Sequence, residues 1–198
     1  MLNNETLQTI FNRASIRRYT DEPLDSEVID TIVEAGLRAP SAGGCQAPAL
    51  VTCTDREINK ELGRISKSLY NEGNYPVSTA QPSTADVNAP ESAFYGAPVV
   101  VSVLTPKGWS YAPYDAAMAS YAMMLAAWSL GIGSCYVSRA KETLSTPEGL
   151  RFLKDAGAPE GYEGACHVVF GHPQSWEKSP KPLLRERDNR ILQKHPMG

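Results

Sequence analysis

The segment from Tyr114 to Leu130 restricts the fold more than any other part of the sequence. Of its 17 residues only Asp115, Ser120 and Ser129 are polar, and Gly131 follows as a helix stop signal. A helix that is apolar on every side must be buried on every side, and this one is too short and too rich in alanine for a membrane span. Because one small domain has difficulty covering every face of such a helix, we predict that the helix contributes to both the core and a dimer interface.

The rest of the sequence alternates between predicted helices and isolated strands. Helices are predicted to begin near Asn3 or Asn4, at Asp25 or Ser26, at Asp55 and at Thr146, and strands to cover Ala49 to Cys53, Pro98 to Leu104, Ser134 to Val137 and Ala165 to Phe170. This order indicates one α/β or α+β domain over residues 1–198. Residues 71–92 lack periodicity, and so long a loop is typical of a lid or wrapping segment rather than a linker.

Composition and charge restrict the classes of partner. The net charge of −3 gives no electrostatic reason to expect nucleic acid or an anionic membrane. The first residues lack the basic start and the apolar run of a signal peptide, so we expect a soluble cytoplasmic protein. The four cysteines are scattered along the sequence, which favours a reducing compartment in which they remain free thiols: Cys45, Cys53, Cys135 and Cys166.

An Arg-x-Ser-x-Arg motif near the N-terminus is the first candidate binding feature. In an extended segment the side chains of Arg13, Ser15 and Arg17 point the same way, because successive residues alternate between two faces. Two guanidinium groups and a hydroxyl on one face suit a phosphate group, which planar donors bind through two oxygens. A solvated basic stretch explains the same spacing, so the motif by itself leaves both interpretations open.

A loop of small residues, Pro40 to Gln46, follows the second predicted helix. Its sequence is Pro-Ser-Ala-Gly-Gly-Cys-Gln, and such small side chains let backbone amides approach a planar ligand closely. The side-chain amide of Gln46 can both donate and accept hydrogen bonds. An ordinary helix-to-strand loop has a similar composition, so this motif also stays open when it is taken alone.

Other catalytic classes lack their motifs in this sequence. The glycines between Gly131 and Tyr136 follow a helix and precede a strand, whereas a dinucleotide-binding fingerprint needs the opposite order. No G-x-S-x-G is present, and Cys166 and His167 are strand neighbours whose side chains face opposite ways. No metal-site spacing joins the histidines and cysteines, so we expect no metal. The three histidines are interpreted as structural or solvated: His167, His172 and His195.

Five segments, taken in order, resemble the nitroreductase family over essentially the whole chain. Each segment alone is unspecific, whereas their order and spacing are specific. They are Arg13 to Arg17, Ala39 to Gln46, Ala97 to Val101, Ala126 to Tyr136 and Val169 to Pro173. The resemblance implies an α+β fold with a mixed β-sheet flanked by helices, and an intertwined homodimer with two FMN sites at the subunit interface.

The resemblance places the family's FMN contacts on four parts of this sequence. The phosphate and ribityl contacts match Arg13, Ser15 and Arg17, and the loop that the other subunit lays against the flavin matches Pro40, Ser41, Ala42 and Gln46. The segment whose amide faces the reactive flavin nitrogen matches Ser138 and Arg139, and the basic pair that closes over the phosphate matches Arg185 and Arg187. The loop departs from the family at Gly44, where asparagine is common, and after Gln46, where proline and an aromatic residue are common.

The activity that the resemblance implies is ping-pong electron transfer. NADH or NADPH reduces FMN, and the flavin then reduces a nitroaromatic, a quinone or a related acceptor. Dehalogenation and flavin cleavage are further activities within the superfamily. Two other functions stay open, because a fold does not decide a function: an FMN carrier or flavin-sensing protein without turnover, and a flavin-free interaction domain.

Overall fold

The computed structural model describes residues 4–71 and 92–176. The predicted wrapping segment, except for its end residues, and the basic tail with Arg185 and Arg187 lie outside these ranges. The described helices are α1 (Glu5–Asn12), α2 (Ser26–Leu37), α3 (Arg56–Asn71), α4 (Ala112–Ser129), α5 (Ala140–Leu144) and α6 (Pro147–Asp155). The described strands are β1 (Ala49–Cys53), β2 (Val99–Pro106), β3 (Gly133–Val137) and β4 (Tyr162–Gly171).

The four strands form one sheet in the order β1-β2-β4-β3, which confirms the α+β class. Every neighbouring pair of these strands is antiparallel. The parallel component of the expected mixed sheet is an isolated bridge between Ser15 and Ser134. The two central strands, β2 and β4, are buried over most of their length on both faces, as expected for their continuous apolar sequences.

Two layers of helices cover the sheet. On one face Val101 of β2 packs in the same cluster as Ile32 of α2 and Met123 of α4. On the other face Val100 of β2 packs with Leu62 of α3. Because side chains of a strand alternate between its two faces, the fully apolar β2 contributes to both cores.

Side-chain caps begin three of the helices where the sequence predicts them. The Asn4 Oδ1 atom accepts a hydrogen bond from the Leu7 amide at 2.9 Å, and the Asp55 Oδ1 atom accepts one from the Glu57 amide at 2.9 Å. The hydroxyl of Thr146 accepts a hydrogen bond from the amide of Gly149 at 3.2 Å. These caps satisfy amides that have no partner within the first turn, which fixes where each helix begins.

The buried side of α4 packs on the sheet and on α2, as the apolar sequence predicts. Its other side is not covered within the described chain: Tyr114 is 68% exposed, Met118 is 45% exposed and Tyr121 is 39% exposed. These three residues lie on one stripe of the helix, because they are spaced by four and then three positions. No helix in the described ranges is long and apolar enough to cross a membrane.

Candidate functional site

The Arg-x-Ser-x-Arg segment is extended along the edge of the sheet next to β3. The Ile16 amide donates a hydrogen bond to the Ser134 carbonyl at 2.8 Å, and Ser15 forms the bridge to the same residue. Ala14 and Ile16 are buried, whereas Arg13, Ser15 and Arg17 alternate with them on the accessible side. We call these three residues the arginine face.

The arginine face surrounds the thiol of Cys135 on β3. Burial raises the pKa of the Cys135 thiol, while Arg17, a hydrogen bond with Ser15 and the charge of Arg13 act in the opposite direction. Ser15 and Arg17 act on this thiol through hydrogen bonds, and Arg13 is near enough for its charge to act on it. The structure therefore brings the two arginines and the serine to one place.

The donors of the arginine face are only partly used within the described chain. The Arg17 guanidinium lies 5.9 Å from the ring centroid of Tyr95, in the range of a cation–π contact. The Nε atom of Arg13 is buried and has no hydrogen-bond partner among the described residues. A buried donor without an acceptor is costly. Cationic donors around a hydroxyl suit an anion such as a phosphate group.

The second group of sequence-predicted residues forms a tight turn between α2 and β1. We call residues 40–46 the small-residue loop. Ala42–Gly44 form one turn of 3₁₀-helix, in which Gly43 has φ 60°. Gln46 has φ 50°, in the left-handed region that a side chain other than glycine rarely adopts. Its amide donates to the Ser41 hydroxyl at 2.8 Å, which closes the loop on itself.

A buried carboxylate holds this loop against α4. The Asp115 Oδ1 atom accepts a hydrogen bond from the Ala42 amide at 2.9 Å, and its Oδ2 atom accepts one from the Trp109 indole at 2.8 Å. Sequence reasoning assigned no role to Asp115 or Trp109. The sequence does contain one signal for such a role, which is a single acidic residue within an apolar helix. A carboxylate is buried in such a helix only when hydrogen bonds replace its hydration, so partners for it could have been expected.

An open cavity of about 710 Å³ lies beside the small-residue loop. This volume is within the range of small-molecule pockets in proteins. Its lining includes polar and apolar groups from α2, the loop and α4, among them Leu37, Pro40, Ser41, Gln46, Asp115 and Ala119.

The Ser138–Arg139 pair forms the turn between β3 and α5. Arg139 has φ 77°, and it occupies the N-cap position of α5. A non-glycine residue in this conformation costs on the order of 1–3 kcal/mol, and such strain is concentrated at functional sites. Arg185 and Arg187 lie outside the described residues, so their predicted contacts stay predictions.

The arginine face and the small-residue loop lie near opposite ends of α4. The loop is bound to Asp115 in the first turn of the helix, whereas the arginine face bridges to Ser134, just beyond its last turn. A helix rises about 1.5 Å per residue, so Asp115 and Ser129 are separated by about 21 Å along the axis. The two groups are therefore anchored near points of α4 that lie about 21 Å apart.

Two further residues that could carry chemistry, His167 and Cys166, have structural roles. His167 is fully buried, its Nδ1 atom lies 2.9 Å from the Ser102 hydroxyl, and burial lowers its pKa to about 3. The Cys166 thiol lies 3.1 Å from the Ser120 hydroxyl on the other side of the sheet, which confirms that these neighbours face opposite ways. Within the described ranges, no group of three or more acidic, histidine or cysteine side chains could hold a metal ion.

Comparison with known proteins finds relatives of this chain. The chain is 29% identical over 155 residues to an FMN reductase (NADPH) of Bacillus subtilis, with 73% of this chain and 61% of the relative covered. It is 28% identical over 181 residues to an NADPH-flavin oxidoreductase of Vibrio harveyi, with 90% of this chain and 70% of the relative covered. The chain thus spans about three fifths to seven tenths of the length of these two relatives.

Solved structures share the fold over nearly the whole chain. A nitroreductase with bound FMN from Bacteroides fragilis superposes with a TM-score of 0.80 at 25% identity, covering 96% of this chain and 100% of the other. A second one, from Desulfitobacterium hafniense, superposes with a TM-score of 0.81 at 26% identity, covering 98% of this chain and 100% of the other. The family model described as "Nitroreductase family" matches residues 10–172. The chain therefore belongs to the nitroreductase family.

Proposed function

We propose that this chain is an FMN-dependent oxidoreductase that takes electrons from NADH or NADPH and passes them to a nitroaromatic, quinone or related acceptor. Its similarity to reductases named for FMN, flavin and NADPH supports this activity. The observation that carries the proposal is the convergence of Arg13, Ser15 and Arg17 around one point, with a buried Arg13 donor that has no partner in the described chain.

The arginine face is proposed to bind the FMN phosphate. The guanidinium groups of Arg13 and Arg17 can each donate two parallel hydrogen bonds to phosphate oxygens, and the Ser15 hydroxyl can donate a fifth. The contact with Tyr95 restrains Arg17 before any ligand arrives, which lowers the entropy lost on binding. Arg185 and Arg187 are proposed to close over the same phosphate.

The flavin ring is proposed to lie between two copies of the chain. The small-residue loop and the arginine face are near opposite ends of α4, so a second copy is needed to bring one copy's loop to the other copy's arginines. The exposed stripe of Tyr114, Met118 and Tyr121 supports α4 as the contact between the copies. Burial of such an apolar stripe stabilises a homodimer.

The protein's own contribution to the reaction is binding, orientation and electrostatics. FMN, when bound, supplies the acceptance and donation of electrons. Pro40, Ser41, Ala42 and Gln46 are proposed to hold the ring from one side. The turn at Ser138–Arg139 is proposed to present a backbone amide where negative charge develops on the reactive nitrogen, which stabilises that charge.

The proposed setting is the cytoplasm, with no nucleic acid or membrane among the partners. All four cysteines are free, and three of them are buried. Free thiols are typical of a reducing compartment, which supports this part of the proposal.

The test of the proposed function is an absorbance titration of purified protein. After reconstitution with FMN, we expect one flavin per chain, bleaching of its visible absorbance by NADH or NADPH, and recovery when a quinone is added. Release of FAD on denaturation, or no flavin after reconstitution, would contradict the FMN assignment. Bound FMN that neither nicotinamide reduces would favour the carrier or sensor.

A further inference from the structure

Asp115 is the only charged residue of α4, and it is buried to 3% exposure. An ionised carboxylate removed from water is strongly destabilising unless hydrogen bonds replace its hydration. Its place in the first turn of α4 offsets part of this cost, because the helix dipole favours negative charge there. A smaller apolar residue would fit the core without this cost, so the carboxylate calls for an explanation.

The two oxygens of Asp115 join two segments that are far apart in the sequence. One oxygen accepts from the Ala42 amide of the small-residue loop, and the other accepts from the Trp109 indole, which precedes α4. Trp109 in turn packs edge-on against Tyr111 with ring centroids 5.5 Å apart. We call Trp109 and Tyr111 the aromatic pair. A single side chain thus fixes the loop relative to the aromatic pair.

Only a carboxylate of this length satisfies both donors at once. Both partners are N–H groups, so the site needs two acceptors and no donor. An ionised aspartate has two acceptor oxygens, whereas asparagine has one acceptor and one donor group. The substitution Asp115→Asn would therefore leave one N–H facing an NH₂ group.

The small-residue loop depends on such an external restraint. Its residues from Ala42 to Gly44 have no side chain that could anchor them. Gln46 is in the left-handed region, which a residue other than glycine occupies only when its surroundings hold it, and Gly43 and Gly44 add conformational freedom to the loop. The hydrogen bond from Ala42 to Asp115 supplies this restraint from a rigid helix.

We propose that Asp115 is a positioning residue that holds the small-residue loop against α4 in the arrangement that the loop presents to the flavin. This inference rests on the proposed function, which puts the loop against the flavin ring. Asp115 itself does not contact the cofactor or the acceptor in this proposal. It acts through the Ala42 amide, which sets the loop, while the hydrogen bond from the Trp109 indole holds the carboxylate in the orientation that meets this amide.

The test is a double-mutant cycle of Asp115→Asn and Trp109→Phe. Asp115→Asn should raise the FMN dissociation constant by up to about tenfold, because only the part of the lost hydrogen-bond energy that differs between the free and the FMN-bound protein affects affinity, and it should change the visible circular dichroism of bound flavin. Trp109→Phe keeps the Ala42 bond, so it should change the FMN dissociation constant less than Asp115→Asn does. In the Trp109→Phe background, Asp115→Asn should raise the FMN dissociation constant clearly less, because the asparagine side chain then has only one N–H donor to satisfy.

Ser120→Ala is the matched control, since it removes a buried polar group from the same helix without touching the loop. It should lower Tm and leave the FMN dissociation constant unchanged. Asp115→Asn that lowers Tm while FMN affinity and flavin dichroism stay at wild-type values would overturn the positioning role. If Asp115→Asn does not fold, Asp115→Glu, which keeps the charge and moves the two acceptor oxygens, takes its place, and wild-type FMN affinity and flavin dichroism in Asp115→Glu overturn the role. Wild-type protein that binds no FMN would refute the proposed function itself, and this inference with it.

Discussion

At the scale of single residues, the phosphate role proposed for the arginine face predicts different effects on cofactor affinity and on turnover. Arg17→Ala should raise the FMN dissociation constant roughly tenfold to a hundredfold, because a charge-assisted hydrogen bond to phosphate is lost. Turnover should recover largely at saturating FMN, since Arg17 is proposed to lie on the phosphate and remote from the flavin ring. Fluorescence titration of apo-protein with FMN measures the difference.

The matched control for Arg17 is Arg18→Ala, its exposed neighbour on the opposite side of the segment. This variant removes the same charge from the chain but not from the arginine face. Equal FMN affinities of Arg17→Ala and wild type would refute the phosphate role of Arg17.

A second prediction at this scale concerns stability against pH. The pKa of His167 is about 3 in the folded chain, below the ordinary value of 6.5, because burial disfavours its charged form. Between these values the unfolded chain binds a proton that the folded chain does not. The free energy of unfolding should therefore fall by up to about 1.4 kcal/mol per pH unit as the pH drops below about 6.5.

Urea unfolding of wild type and His167→Gln between about pH 7 and pH 5 measures this slope, since glutamine does not titrate. We expect a shallower slope in His167→Gln than in wild type. Identical slopes for wild type and His167→Gln would show that His167 does not cause the loss of stability at low pH.

At the scale of elements, the sequence predicts well where most helices and strands lie. It predicts poorly which distant parts of the chain contact each other. β1 runs over Ala49–Cys53 as predicted, because its ends are set by local turn and cap residues. α5 escaped prediction, because five residues are too few for a helical period to appear. The hydrogen bonds of Asp115 could not be predicted either, since a sequence does not say which distant amide a carboxylate meets.

The contact between α5 and α6 gives a prediction at this scale. A Cβ atom on Gly149 would lie 2.4 Å from the Thr143 carbonyl oxygen and 2.5 Å from the Leu144 Cα atom. Because these are backbone atoms that cannot turn aside, Gly149→Ala should lower the free energy of unfolding by about 1–3 kcal/mol. Chemical denaturation provides the measurement.

The same variant bears on the site, because α5 begins directly after the strained turn at Arg139. Loosening of α5 should weaken FMN binding along with stability. The control Arg151→Ala, on the exposed side of α6, should change neither quantity appreciably. A Gly149→Ala protein as stable as wild type would show that α6 can move away from α5.

At the scale of the whole molecule, the exposed stripe of α4 predicts the oligomeric state. Light scattering should give a dimer of the 21.5 kDa chain at low micromolar concentration. Met118→Lys puts a charge into the proposed apolar contact and should shift the protein toward monomer with loss of FMN. Leu150→Lys, at an exposed leucine of α6 away from α4, should remain a dimer with flavin bound.

A wild-type monomer that retains FMN would contradict both the dimer and the shared flavin site. The resemblance to the family implies the dimer, whereas the apolar sequence of α4 alone indicates only that this helix needs more cover than one chain gives. The exposed Tyr114, Met118 and Tyr121 identify which side lacks that cover.

The length of α4 has a consequence for how this protein responds to dilution. A flavin held by the arginine face of one copy and the small-residue loop of the other is bound by neither copy completely. Cofactor affinity and subunit affinity are then thermodynamically linked, so that each strengthens the other by the same factor. Under the proposed shared site, a shortage of flavin and a low protein concentration should therefore each favour separated subunits without bound flavin.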